Sequence, residues 1–280
     1  MTIADDDELS AMKQAYVRTA FLAPADHNYL MARIAFKKGL VLDAYWSAAQ
    51  AVEKYFKASL LLNGRSAADN GHDLLELNRI HAAIEGMWMP KEFQAPTRRS
   101  PAVASWLEWG DNTVAGFLSM LAVYGSTDAR YGRNGYVVDH FVAPKLDQLV
   151  FVLRRTCRNV AAFDLEADPM DWKLDSLLPL ESHLEERPHH GEAHNELVRD
   201  FLDGNAIWQA AMSGGGAEMS LRPMQAYQAG AYAAAIMRVL PESTELLIEF
   251  NDWVLSSVKL NASDRKDLLA ENRRLAGGAG

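Results

Sequence analysis

Cysteine is nearly absent: Cys157 stands alone in 280 residues. One thiol cannot close an internal disulfide, so an apolar core must carry the fold, and a reducing, cytoplasmic setting is expected. Long hydrophobic runs are missing too. The stretch from Val114 to Tyr124 falls far short of the roughly 20 apolar residues that cross a bilayer, so no membrane span is expected. The first residues run into Asp5-Asp6-Asp7-Glu8 with no basic start or apolar stretch, unlike a secretory leader. Positive charge is scarce, with 28 Lys+Arg against 37 Asp+Glu and a net charge of −9. The deficit lies in one half. Residues 1–163 hold 18 basic and 17 acidic side chains, residues 164–280 hold 10 and 20. A general nucleic-acid binder spreads a basic field over its surface. Any RNA contact here must therefore be local, and the acidic half would repel phosphate or cover a basic protein partner.

What is present is helical periodicity. Between Leu42 and Leu62 apolar side chains recur at 41, 44, 45, 48, 52, 55 and 56, the spacing of one helix face, and Asn63-Gly64 supplies a stop. Further helices are expected from about Glu8 to Phe21 (closed by Pro24), from Asp26 as N-cap to Gly39, from His72-Asp73 onward, and from about Val103 to Tyr124. A long helix from Tyr136 to Phe163 would need a kink or break at Pro144. Residues 164–193, with Pro169, Pro179 and Pro188, read as a linker. Helices then resume near Glu192–Met212, Tyr227–Leu240, Glu242–Leu260, and from Ser263 as cap to Leu275. Neither strand alternation nor an internal repeat is evident. The fold class is therefore all-α, with residues 1–163 expected as one helical domain and 164–280 as an acidic helical extension of unknown role.

The helix around residue 50 has an order beyond its periodicity. Gln50-Ala51-Val52-Glu53-Lys54 is followed by Lys57-Ala58, Leu60-Leu61 and Gly71-His72-Asp73-Leu74, and is preceded by Asp26, Tyr29 and Ala32. This arrangement resembles the HEPN family (higher eukaryote and prokaryote nucleotide-binding domains) over roughly residues 10–163. The resemblance implies an up-and-down helical bundle, a homodimer, and one of two functions. Some members cut RNA without a metal; others bind nucleotides or dimerise without catalysis.

The cutting members carry Arg, then a polar residue, then His near the fourth helix. Arg133-Asn134 with His140, seven residues beyond the arginine, matches in place. Two helical turns would set both side chains on one face. In that reading His140 moves the proton of a ribose 2′-hydroxyl or of the leaving oxygen, Arg133 offsets charge growing on phosphorus, and Asn134 orients either group, leaving a 2′,3′-cyclic phosphate. The pairs Arg65–His72 and Arg187–His194 have the same spacing, but His72-Asp73 reads as a helix start. Arg130-Tyr131 resembles the Arg-Tyr pair of nucleotide-binding relatives, with Tyr131 stacking on a base and Arg130 meeting phosphate. Lys145, Arg154, Arg155 and Arg158 are expected to form a basic helix face, from which Arg154 and Arg158 are candidate RNA contacts. His183, His189, His190 and His194 have no cysteine or tight acidic group to complete a metal site, and Ser213-Gly214-Gly215-Gly216 lacks the Gly-Lys-Ser/Thr of a phosphate loop. No metal and no cofactor is expected.

Overall fold

A computed structural model describes residues 3–85, 87, 89–93, 112–133, 135–137, 142–157, 230–239, 241 and 243–277. The described residues form helices and no strand; Glu92 and Thr113 meet in a single isolated bridge. The helices are α1 (Ile3–Val17), α2 (Ala23–Lys37), α3 (Val41–Leu62), α4 (Leu74–Ala82), α5 (Val114–Tyr124), α6 (Thr127–Arg130), α7 (Val142–Thr156), α8 (Ala231–Val239), α9 (Thr244–Ser257) and α10 (Ala262–Gly277). The all-α expectation therefore holds. No described helix is long and apolar enough to cross a membrane.

The central rod is α3. Its alanines at 44, 48, 49, 51 and 58 let neighbours approach, and Tyr45, Val52, Tyr55, Phe56 and Leu60 fill the spaces between. It packs against α1, α2, α4, α5, α6 and α7. A helix covered on several sides buries more than one stripe, which is why burial on α3 is wider than its apolar periodicity. One close approach is at Gly125, which caps α5. A Cβ there would lie 2.4 Å from Ala49 Cβ and 2.8 Å from the Tyr45 carbonyl oxygen.

Two buried ion pairs tie α2 and α3 to α7. Asp26 receives Arg154 Nε at 2.9 Å and Nη2 at 3.2 Å, and Tyr55 donates its hydroxyl to the same carboxylate at 2.6 Å. About two helical turns earlier on α7, Asp147 receives the Arg33 guanidinium and, at 2.7 Å, the Tyr29 hydroxyl. Two arginines and two carboxylates thus enter the core as ion pairs, the condition under which charge is tolerated there.

Several expectations need correction. Pro24 does not close α1; a π-helical turn, Arg18–Leu22, carries the chain directly into α2, and Pro24 sits in the first turn, where no backbone N–H is required. Asp26 lies inside that first turn and pairs with Arg154 rather than capping. Helix α7 starts at Val142, so Pro144 also falls in a first turn and needs no kink, while 135–137 are not helical. Asn261, not Ser263, caps α10, accepting the Asp264 N–H at 2.8 Å. The basic face is not a surface: Lys145, Arg154 and Arg155 are all buried. The expected helices at 103–111 and 192–212, the linker at 164–193 and the Ser213–Gly216 break lie outside the described residues.

The described C-terminal helices share the apolar core of the N-terminal ones. Helices α8 and α9 pack on α1. Tyr16 meets Phe250 and Trp253 edge-on at 6.1 and 5.9 Å, and Tyr232 stacks on Phe250 at 5.8 Å. Ala67 donates its N–H to the Ser257 carbonyl at 3.0 Å, fastening the loop after α3 to the end of α9.

Candidate functional site

Along α3 the sequence places Trp46, Gln50, Glu53 and Lys57 three or four residues apart, so they stack along one side of the rod. Glu53 is buried, and Lys57 Nζ reaches its Oε1 at 2.7 Å. The chain leaves α3 at Asn63, turns at Gly64 (φ +70°) and returns through Gly71 (φ +54°), two positions whose left-handed backbone suits glycine. The return delivers His72 to Glu53. Imidazole Nδ1 lies 3.0 and 2.9 Å from the two carboxylate oxygens, although the His72 side chain itself is 80% exposed. The next residue, Asp73, caps α4 by accepting the N–H groups of Leu75 and Glu76 at 3.0 and 3.1 Å. The cap fixes His72 on its carboxylate partner.

Opposite this pair, the Gly125 turn brings in α6. Ser126 caps it, accepting the Ala129 N–H at 3.2 Å. Between α3 and the α5–α6 corner lies a cleft of about 240 Å³ lined by Trp46, Gln50, Glu53, His72, Ser126 and Thr127, with apolar side chains at its floor. Arg130, in the last turn of α6, sits over the Trp46 ring at 5.2 Å and 3.9 Å from Asp43. Tyr131 is 75% exposed. Gly132 (φ +71°) turns the chain, and Arg133 pairs with Asp128 at 3.0 Å. Beyond it, Tyr45 donates its hydroxyl to the Val137 carbonyl at 2.7 Å, pinning the segment 135–137 to α3.

The sequence-derived candidates therefore separate. Arg130, Tyr131 and Arg133 come together on one exposed corner. Asn134, His140 and Arg158 lie outside the described residues. The expectation that Arg133 and His140 share one helix face does not hold, because 135–137 interrupt the helix between them. Arg154 belongs to the core ion pair with Asp26. Cys157 is buried against the Tyr55 and Leu153 carbonyls, and burial pushes its thiol up to about 12, so it is not a reactive thiolate.

Sequence reading missed the Glu53–His72 contact. The i, i+4 spacing shows Glu53 with Lys57, and nothing local shows a partner 19 residues on. The available signal was the joint presence of Gln50…Glu53 and Gly71-His72-Asp73 in one family-like arrangement.

Comparison with known proteins agrees with this region. The family model described as the HEPN domain matches residues 19–96, from the π-helical turn through α4 and the strand-like contact at Glu92. No curated protein and no solved structure matches the chain. Residues 19–96, which hold α2, α3 and α4 of the helical bundle, are thus the part of the chain that carries a HEPN-like domain.

Proposed function

We propose that this protein binds RNA or nucleotides through the α6 corner, with Arg130 and Arg133 as phosphate contacts and Tyr131 as a base-stacking platform. The observation that carries the reading is the pairing state of the two arginines. Among the described residues each forms its ion pair with an exposed carboxylate, Asp43 or Asp128, Arg130 also lying over the Trp46 ring, and exposed ion pairs of this kind are worth about 0–1 kcal/mol. A phosphate can displace them at little cost, whereas the buried Arg154–Asp26 pair is not exchangeable in this way. The test is anisotropy of a labelled single-stranded RNA with the full chain. The double variant Arg130→Ala/Arg133→Ala is expected to weaken binding at least tenfold; wild-type affinity in that variant would refute the assignment.

A second, sharper reading is metal-independent RNA cleavage by a homodimer. The observation that favours it is Arg133-Asn134 followed by His140, together with an Arg133 guanidinium free to reorient from its surface partner. His140 would act as general acid or base and Arg133 would stabilise the crowded phosphorus. RNA incubated in a chelator should be cut by the wild type and not by His140→Ala, with His72→Ala still cutting. Unchanged cutting by His140→Ala removes His140 from the reaction.

A further inference from the structure

The cleft beside α3 has features that phosphate binding at Arg130 and Arg133 does not use. Three polar groups are held there in defined roles. The Gln50 carboxamide oxygen accepts from Lys54 Nζ at 3.1 Å, which leaves the amide NH2 as the outward donor. Glu53 is buried and holds His72 by Nδ1. A carboxylate accepts only, so Nδ1 donates its N–H to Glu53, and the tautomer that fits this contact leaves the Nε2 lone pair as an acceptor. Lys57 donates to Glu53 Oε1 from the other side and holds the carboxylate in place. Trp46 lines the same cleft with ring surface. A donor and an acceptor flanking Glu53, beside an indole, match the edge of an aminated heterocycle: a ring nitrogen that accepts and, next to it, an exocyclic amine that donates.

We propose that this cleft is a nucleobase pocket selective for an amino-bearing base such as adenine. Trp46 packs against the ring, Gln50 donates to the ring nitrogen, and His72 Nε2 accepts from the amine. Glu53 is a positioning residue that acts through the His72 tautomer. The inference rests on the nucleotide-binding reading above and adds the base to which the phosphate at Arg130 would belong.

The experiment is calorimetric titration of the full chain with adenosine and with purine riboside, which lacks the amino group. Neither carries a phosphate, so the result does not depend on phosphate contacts of Arg130 and Arg133. Wild type should bind adenosine about five- to tenfold tighter than purine riboside, the worth of one hydrogen bond. In His72→Ala the two ligands should bind equally, and Trp46→Leu should weaken both together. His72 is exposed, so its replacement leaves the core intact. In Glu53→Gln, nitrogen NMR of His72 should show loss of the single Nδ1–H tautomer alongside the loss of discrimination. Rescue of discrimination by Glu53→Asp, which restores a carboxylate, would confirm positioning. An oligoadenylate arm separates the sources: His72-dependent binding of the oligomer puts the base in RNA, and binding of adenosine alone puts it in the free nucleoside pool. The proposal is overturned if adenosine does not bind, if purine riboside binds as well as adenosine, or if His72→Ala retains the preference. Failure here with RNA binding still dependent on Arg130 and Arg133 would sink the pocket and leave the phosphate corner standing.

Discussion

Arginine is used in two ways in this bundle. In the core, Arg154 and Arg33 reach across to Asp26 and Asp147 from elements more than a hundred residues apart in sequence. At the α6 corner, Arg130 and Arg133 lie against aspartates within solvent. The chemistry of the pairs is the same and the surroundings differ. Taking two charges out of water is costly, and once the cost is met neither partner can be removed without stranding the other. In water the same contact is screened and replaceable. The buried pairs hold the scaffold in register, and the exposed ones remain available to a ligand.

The comparison breaks most visibly if Asp26 can be removed without consequence. Asp26→Ala leaves the Arg154 guanidinium and the Tyr55 hydroxyl unpaired in the core, and the expected loss is about 3–5 kcal/mol in denaturant unfolding. A loss as small as that of a surface pair would place Arg154 among the exchangeable arginines.

A second buried polar group gives a pH signature. His81 is buried with Nε2 3.0 Å from Ser59 Oγ and 3.1 Å from Thr156 Oγ1, and burial pulls its imidazole down from 6.5 to about 4. The unfolded chain takes up a proton as pH falls through about 6.5, and the folded chain does so only near 4. The contribution is therefore complete above the unfolded value and is lost as pH falls through that window, by about 3 kcal/mol. His81→Gln should flatten this part of the stability profile relative to wild type. Equal slopes in the two proteins would show that His81 is protonated within the fold.

Gly125 sharpens the link between scaffold and cleft. The methyl of Gly125→Ala meets the Ala49 side chain and the Tyr45 carbonyl well inside contact distance, for an expected cost of about 1–3 kcal/mol in thermal or denaturant unfolding. Because this corner carries α6, the variant should also weaken RNA binding. The smallest effect is on the exposed side: Arg133→Ala is expected to change stability by less than about 0.5 kcal/mol.

The same division decides what could be read from the sequence. Helices α3 and α9, the Asn63-Gly64 stop and the α4 start at Asp73 were legible because periodicity and capping are local properties. The π-helical passage into α2, with Pro24 in its first turn, was not, since a proline in a first turn and one that ends a helix look alike until the preceding residues are placed. The basic run on α7 was misread for a deeper reason. Burial of Lys145, Arg154 and Arg155 depends on acids and packing supplied by distant segments, Asp26 being 128 residues away from Arg154. Glu53 and His72 were each visible, and only the fold of the intervening loop joins them. By contrast, Arg130, Tyr131 and Arg133 are close in the sequence, and a short turn keeps them close in space.

The account turns on the claim that Arg130 and Arg133 are the exchangeable phosphate contacts, and the salt dependence of RNA binding measures it most directly. Each phosphate contact to a single strand contributes about 0.7 to the slope of log affinity against log salt. The account predicts that Arg130→Ala and Arg133→Ala each lower the slope by roughly that amount and weaken binding, with folding stability unchanged. A wild-type slope and affinity in both variants would contradict it.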